Sequence, residues 1–189
     1  MTPSVATSTL QHPLQTLAAA VAQTMVQLRD ALISLPQVHY DAAMGPLFAG
    51  GTIGGHVRHC LDHICALTDG CSSGIIKYDQ RERGTLVETQ ASAALSELDR
   101  LLNLVHNIGG SPSGFSRTPV GVRVIPSADG TSIDVSSTVE REMAFVLSHT
   151  IHHLSTIRGM LVSCGAGVTS TFGFAPATLA HANGAVCAH

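Results

Sequence analysis

Residues 137–153 of this 189-residue chain read STVEREMAFVLSHTIHH and predict the beginning of a long helix. Ser137 and Glu140 have the spacing of a capping box, in which the first side chain accepts from the backbone and the glutamate reaches back. From Met143 onward, apolar residues recur every three or four positions, and the pattern closes near Gly165. The sequence therefore predicts a final amphipathic helix with one face in a core.

Two histidines share a face of this helix. His149 and His153 are one turn apart, whereas His152 turns toward the flank. Two imidazoles at i and i+4 can chelate one cation because they project from successive turns. A stable site then needs a third ligand from a facing helix.

An earlier segment supplies candidates for that ligand. The stretch 53–63 reads IGGHVRHCLDH and belongs to a helix expected from Thr52 to about Thr68. His56, His59 and His63 fall within an arc of about 60° at ~100° per residue, so they form one stripe. Three neutral nitrogen ligands with open positions are typical of a catalytic site for Zn, Ni or Fe. Spacing alone leaves open which of the three histidines binds.

The rest of the chain predicts two further helices and a small β-hairpin. Apolar periodicity and turn signals place them as follows: a helix over 14–34, a helix from a Thr85–Glu88 capping box to about His106, and a two-stranded ribbon within 108–136 turning at Asp129-Gly130. Four amphipathic helices, with a longer connection before the last, predict an all-α four-helix bundle. We expect one domain over 1–165 and a loosely ordered tail over 166–189.

The composition disfavours nucleic-acid and membrane partners. The chain has 10 Lys and Arg against 13 Asp and Glu, a net charge of −3, and only 4% aromatic residues. A nucleic-acid-binding surface needs a basic patch or stacking aromatic rings. No apolar run approaches the ~20 residues of a membrane span, and the first residues lack the basic and apolar regions of a signal peptide. We therefore expect a cytoplasmic protein with a small-molecule partner.

The cysteines predict no disulfide framework and no zinc ribbon, because their number is odd and none form a CxxC pair. Most should be buried thiols. They are Cys60, Cys65, Cys71, Cys164 and Cys187.

The two histidine segments resemble the DinB/YfiT-like superfamily of metal-dependent enzymes. The resemblance covers residues 14–165 and includes these stretches: Thr52-Ile53 through His59, the connector Tyr78-Asp79-Gln80-Arg81-Glu82-Arg83, the entry Ser137 to Glu142, and His149-Thr-Ile-His152-His153. It implies a four-helix bundle that binds a divalent cation through His59, His149 and His153. In that family the ligand stands about seven residues after the Ser or Thr that opens the second helix, which favours His59 over His56.

Further residues are candidates for supporting roles. Glu142 is a candidate general base or acceptor for a metal-bound imidazole, although an exposed first-turn glutamate favoured by the helix dipole is the simpler interpretation. Arg81 and Arg83 are candidates for holding an anionic substrate or thiol cofactor, against a solvated charged connector as the alternative. Asp62 could orient a histidine, and His56 and His63 either line the pocket or pack in the core.

These observations favour a metal-dependent enzyme in which the cation activates water or a low-molecular-weight thiol, as a thiol-dependent transferase or a hydrolase. The first alternative is a non-catalytic metal-binding or sensor protein. The second is a helical interaction module whose histidines serve only in packing. Homodimerisation is left open.

Overall fold

The computed structural model describes residues 12–184, except for the side chains of residues 113 and 114. The α-helices in this range are α1 (Pro13–Ile33), α2 (Gln37–Tyr40), α3 (Ile53–Ser73), α4 (Leu86–Thr89), α5 (Ala91–Gly109), α6 (Val139–Ser163) and α7 (Pro176–Ala182). The strands β1 (Ile75–Lys77), β2 (Pro119–Val124) and β3 (Ile133–Thr138) form one sheet, and short 3-10 helices span Pro46–Phe48 and Ser113–Arg117. The described chain is thus mostly helical with a small sheet. None of these helices combines the length and apolar character that a membrane span requires.

Four long helices, α1, α3, α5 and α6, enclose the core. α1 packs against α5 and α6, and α3 packs against the same two helices. Their apolar stripes face inward, with side chains that have almost no exposed surface, such as Val21, Met25, Ile64, Leu101 and Val146. Truncating such a side chain to alanine typically costs about 2–5 kcal/mol. This core therefore fixes the spacing between the two helices that carry the histidines.

The start of α3 depends on a cap and on a close approach between helices. The Thr52 hydroxyl accepts a hydrogen bond from Gly55 N at 2.8 Å. Gly54 is buried, and a Cβ at this position would overlap the carbonyl oxygen of Glu88. The glycine that weakens an isolated helix is therefore the residue that lets α3 pass close to α4.

The end of α3 lies later than predicted and leads directly into the sheet. The helix continues past Thr68 to Ser73 and closes at Gly74, whose φ of 80° suits glycine. β1 follows and pairs parallel to β2, with Ile76 opposite Val122. The predicted β2–β3 hairpin is confirmed as an antiparallel pair, and β1 adds a third strand that the sequence analysis did not predict.

The expected third helix is broken in two, so the start predicted from the Thr85–Glu88 pattern is wrong. α4 is a single turn, and Gln90 has an extended backbone (φ −133°, ψ 116°) before α5 begins at Ala91. Glu88 Oε2 accepts from Gly84 N at 3.0 Å rather than from Thr85 N, and within the described chain the Thr85 side chain leaves the first turn uncapped.

Side chains from α2 bind the backbone groups that this break frees. Gln37 Nε2 donates to Thr89 O at 2.8 Å, and Gln37 Oε1 accepts from Ala91 N at 3.0 Å. Tyr40 OH donates to Val87 O at 2.6 Å. These long-range bonds supply partners for the backbone groups around the break, which a local pattern cannot reveal.

α6 begins one residue later than predicted. Its N-cap is Thr138, whose hydroxyl accepts from Arg141 N at 3.3 Å. Ser137 remains in β3, and its hydroxyl donates to Glu142 Oε1 at 2.6 Å. The helix then runs to Ser163, close to its predicted end.

The first part of the C-terminal segment packs against α6, whereas α7 has no buried residue. Phe172 is 2% exposed, and Arg158 donates to the carbonyl oxygens of Thr169 and Phe172 at 3.0 and 3.1 Å. The loose order expected of the whole tail stays a prediction. The domain boundary at residue 165 stays a prediction, and residues 185–189 lie outside the described range.

Burial of the cysteines is confirmed only for Cys60. Cys65, Cys71 and Cys164 are free thiols with partly exposed side chains. Cys187 lies outside the described residues.

Candidate metal centre

Three histidines from α3 and α6 meet in the space between the two helices. His59, His149 and His153 each offer a ligand atom, and these atoms all lie within 4.8 Å of one another. His59 Nε2 lies 2.9 Å from His149 Nε2, and the His59 and His153 ring centroids are 4.4 Å apart. Each side chain is partly exposed. The three residues could hold a metal ion, and they are those that the sequence analysis selected.

The electrostatic environment keeps these imidazoles neutral. Burial is the largest cause that lowers the pKa of His59 to about 3 and that of His153 to about 4, and neighbouring histidines contribute to both shifts because they would repel a second charge. Burial also lowers the pKa of His149. Since a histidine must be neutral to coordinate a metal, the folded chain holds all three in the ligating form at neutral pH.

The other histidines of the predicted stripe flank this group. His56 Nδ1 lies 3.1 Å from His153 Nδ1, which places His56 at one end of the cluster. His63 is buried at the other end, where its ring stacks on His149 at 4.1 Å. His152 is exposed, as its position on the flank predicted. The whole α3 stripe therefore faces α6, with His59 in the middle.

Arg81 reaches the cluster from the connector after β1. Its Nη1 donates to His59 Nδ1. Arg83 of the same connector is exposed. Asp62, which the sequence suggested as a partner for a histidine, forms an ion pair with Arg58 at 2.5 Å instead.

The fit to a divalent cation depends on Arg81. A neutral imidazole that coordinates through Nε2 carries its proton on Nδ1 and usually donates it to an acceptor. Arg81 is a donor only, so it cannot stay on His59 Nδ1 when His59 binds through Nε2. The three nitrogen ligands fit a divalent cation provided that the Arg81 side chain moves aside.

Glu142 lies in a buried network rather than at the surface. Its side chain is 1% exposed, so the expected exposed first-turn glutamate is wrong. Oε2 accepts from Tyr78 OH at 2.9 Å, and Oε1 accepts from Ser137 Oγ at 2.6 Å and from Arg141 Nη1 at 2.8 Å. Burial, and after it the negative charge of Glu142 and the hydrogen bond to it, raise the pKa of Tyr78. The general-base role of Glu142 stays a prediction.

Tyr78 is a site residue that the sequence analysis did not single out. Its ring stacks on His63 at 5.1 Å, and His63 in turn stacks on His149. The available signal was a single aromatic residue in an otherwise polar connector. Its contacts depend on the β1–β2 pairing, which brings the connector to α6.

A cavity of about 400 Å³ opens beside the cluster. His56, His59 and His153 form one wall, and Gly51, Arg58 and Glu88 contribute to the others. Arg58 Nε lies 3.0 Å from Glu88 Oε2, and its Nη1 pairs with Asp62, so the guanidinium is shared between two carboxylates. The histidines are therefore accessible to a small molecule from this side.

A groove of about 600 Å³ lies on the other side of α3. It is lined by Asp62, Cys65, Lys77, Arg81 and Glu97, among others. Arg81 thus stands between the groove and His59.

Comparison with known proteins leaves the family unassigned. No family model matches the chain, and no solved structure matches it. FK506-binding protein 5 of Rhizopus delemar is similar, with 29% identity over 108 residues. The similarity covers 57% of this chain but only 27% of that protein, so the chain matches about a quarter of the relative's length.

Proposed function

We propose that this chain is a metal-dependent enzyme of the DinB/YfiT-like type, built as a four-helix bundle from α1, α3, α5 and α6. The observation that carries the proposal is the group of His59, His149 and His153, with ligand atoms within 4.8 Å. The packing of each long helix against two others supports the bundle. Three nitrogen ligands leave coordination positions for water or substrate, as catalytic metal sites do.

A divalent cation such as Zn, Ni or Fe would supply a nucleophile near neutral pH by lowering the pKa of a bound water or low-molecular-weight thiol. The protein contributes the rest of the chemistry. The three neutral histidines hold the ion, and the 400 Å³ cavity beside them accommodates a small substrate. Arg81, once released from His59, is available to bind an anionic group. A thiol-dependent transfer or a hydrolysis fits this arrangement.

A cytoplasmic location and a small-molecule partner, rather than nucleic acid or membrane, belong to the same proposal.

The second candidate is a non-catalytic metal-binding or sensor protein, and the position of Glu142 favours it. Three hydrogen-bond donors, from Tyr78, Ser137 and Arg141, already occupy this carboxylate. A general base needs a free lone pair within reach of the proton that it removes. If Glu142 is unavailable, the enzyme must use another residue that faces the cavity.

The metal site is tested by titrating zinc into protein purified without a histidine tag. We expect one equivalent to bind the wild type, and none to bind the His149→Ala or His153→Ala proteins. His152→Ala is the matched control, because it removes an exposed histidine from the same helix and should keep full stoichiometry. Full zinc occupancy in His153→Ala would contradict the site, and a wild type that binds no zinc would favour the packing role.

A second experiment asks whether the bound metal activates a thiol, as the enzyme would, or only binds. It uses cobalt-loaded protein, with glutathione as the thiol probe. Activation of a thiol predicts a thiolate-to-cobalt charge-transfer band on addition of glutathione. An unchanged spectrum would exclude thiol-dependent transfer and leave hydrolysis or non-catalytic metal binding. The partial similarity to FK506-binding protein 5 gives FK506 as one further ligand to titrate.

A further inference from the structure

His56 makes a contact that determines where the protons of two histidines lie. Its Nδ1 is 3.1 Å from Nδ1 of His153. A neutral imidazole has one donor and one acceptor nitrogen, so one ring must donate and the other must accept. Because this bond uses Nδ1 of His153, Nε2 is the nitrogen that His153 has left for a cation.

Metal binding fixes the direction of this hydrogen bond. When His153 coordinates through Nε2, its proton resides on Nδ1 and is donated outward. His56 Nδ1 must then accept it, and the proton of neutral His56 is confined to Nε2. The far side of the His56 ring is therefore a hydrogen-bond donor in the metal-loaded protein.

This donor faces the cavity beside the cluster. His56 lines the cavity together with Gly51, and a Cβ added at Gly51 would lie 3.1 Å from the carbonyl oxygen of Phe48 and 3.4 Å from His56 Nε2. The missing side chain at Gly51 thus leaves room for a ligand atom next to this nitrogen. His59 and His153 line the same cavity, so a ligand there can meet both the ion and the His56 donor.

We propose that His56 both positions His153 and presents Nε2–H to a carboxylate ligand, one oxygen of which binds the cation while the other accepts from His56. The inference rests on the proposed metal site at His59, His149 and His153. It assigns a ligand class to the cavity: small molecules with a carboxylate. Arg58 in the cavity wall pairs with both Glu88 and Asp62, so the wall supplies no net positive charge, and the attraction for the carboxylate must come from the cation and from His56.

Substitutions can separate the two roles of His56. In His56→Asn, the short amide places an acceptor near the position of Nδ1 and removes the group at Nε2. Gly51→Ala keeps His56 and its bond to His153, but fills the space in front of Nε2. His56→Ala removes both roles. A cooperative thermal unfolding transition shows whether each variant is folded. If a His56 variant does not fold, Gly51→Ala still tests the proposal.

The experiment measures cobalt affinity from the visible spectrum and then titrates acetate into the cobalt-loaded protein. We expect His56→Ala to weaken cobalt binding by about 10- to 100-fold, the usual effect of losing the partner of a metal-bound histidine. His56→Asn and Gly51→Ala should keep cobalt affinity close to that of the wild type. Both should bind acetate about tenfold more weakly, because a hydrogen bond to a charged acceptor is lost. Chloride is a single atom and cannot bind the cation through one atom while accepting from His56 through another, so it should bind all metal-loaded forms alike.

Wild-type acetate affinity in His56→Asn and Gly51→Ala would overturn the proposal, as would wild-type cobalt affinity in His56→Ala. If His56→Ala loses cobalt as completely as His153→Ala does, His56 is itself a metal ligand, and its positioning role is overturned. These failures differ from failure of the proposed function, in which the wild type itself binds no cobalt.

Discussion

Removing the Glu142 carboxylate should destabilise the metal-free protein far more than removing its neighbour Glu140. Both residues lie in the first turn of α6, where a negative charge gains about 0.3–1 kcal/mol from the helix dipole. Only Glu142 is buried, at 1% exposure. Glu140→Ala is therefore a matched control for every effect except the buried network.

The contacts of Glu142 give the magnitude. Glu142→Ala leaves the hydroxyl of Tyr78, a residue only 6% exposed, without its acceptor, which costs about 1–3 kcal/mol. The Arg141 side chain is 65% exposed, so its ion pair adds roughly 0–1 kcal/mol. Together with the lost Ser137 bond, we expect about 3 kcal/mol, or a fall in melting temperature of about 6–12 °C for a chain of this size.

Urea unfolding, followed by circular dichroism with a chelator present, measures the loss in free energy of unfolding. It is read from the shift of the urea midpoint, provided that the dependence on urea concentration is unchanged. Tyr78→Phe should cost less, about 1–2 kcal/mol, because the carboxylate keeps its other donors. The double variant should show strong coupling between the two positions. If Glu142→Ala costs no more than Glu140→Ala, the buried network does not stabilise the protein as we argue. A Glu142→Gln protein of normal stability that has lost activity would instead support the general-base role.

Arg81→Met should tighten zinc binding by roughly three- to tenfold, because the guanidinium no longer holds His59 Nδ1 as an acceptor. Arg83→Met on the same connector is the control. Weaker zinc binding in Arg81→Met would refute the competition between Arg81 and the ion. The metal-free protein should lose stability as the pH falls from about 6.5 to 5. Burial and neighbouring charges hold the pKa of His59 at about 3 and those of His63 and His153 at about 4 in the folded chain. The same histidines take up protons from about pH 6.5 in the unfolded chain, so acid favours unfolding. Equal urea midpoints at pH 7.5 and pH 5 would contradict these lowered pKa values. Because protons compete with the ion for the three imidazoles, zinc affinity should also fall as the pH is lowered.

Elements with a strong local pattern were predictable from the sequence. The long α6 and the position of His149 above His153 follow from helical periodicity, and the β2–β3 hairpin follows from alternation around Asp129-Gly130. The central position of His59 came from a family resemblance rather than from geometry, because His56 and His63 share its face. The structure brings His59 to the other two ligands.

Features that depend on contacts distant in sequence were not predictable. The Thr85–Glu88 pattern resembles a capping box, but Gln37 and Tyr40 bind the backbone around the break after α4 and stabilise another conformation. The burial of Glu142 depends on Tyr78, which lies 64 residues away. The parallel pairing of β1 brings that tyrosine to α6, and a three-residue strand carries almost no sequence signal.

Anomalous diffraction from zinc-soaked crystals shows whether His59, His149 and His153 hold one divalent cation. A shared cation predicts one anomalous peak per chain between α3 and α6, bonded to a nitrogen of each of the three histidines at about 2.0–2.1 Å. It also predicts that the Arg81 side chain has moved away from His59. The absence of a peak between these helices in crystals that contain zinc, or a peak bonded to His56 with His59 turned away, would contradict it.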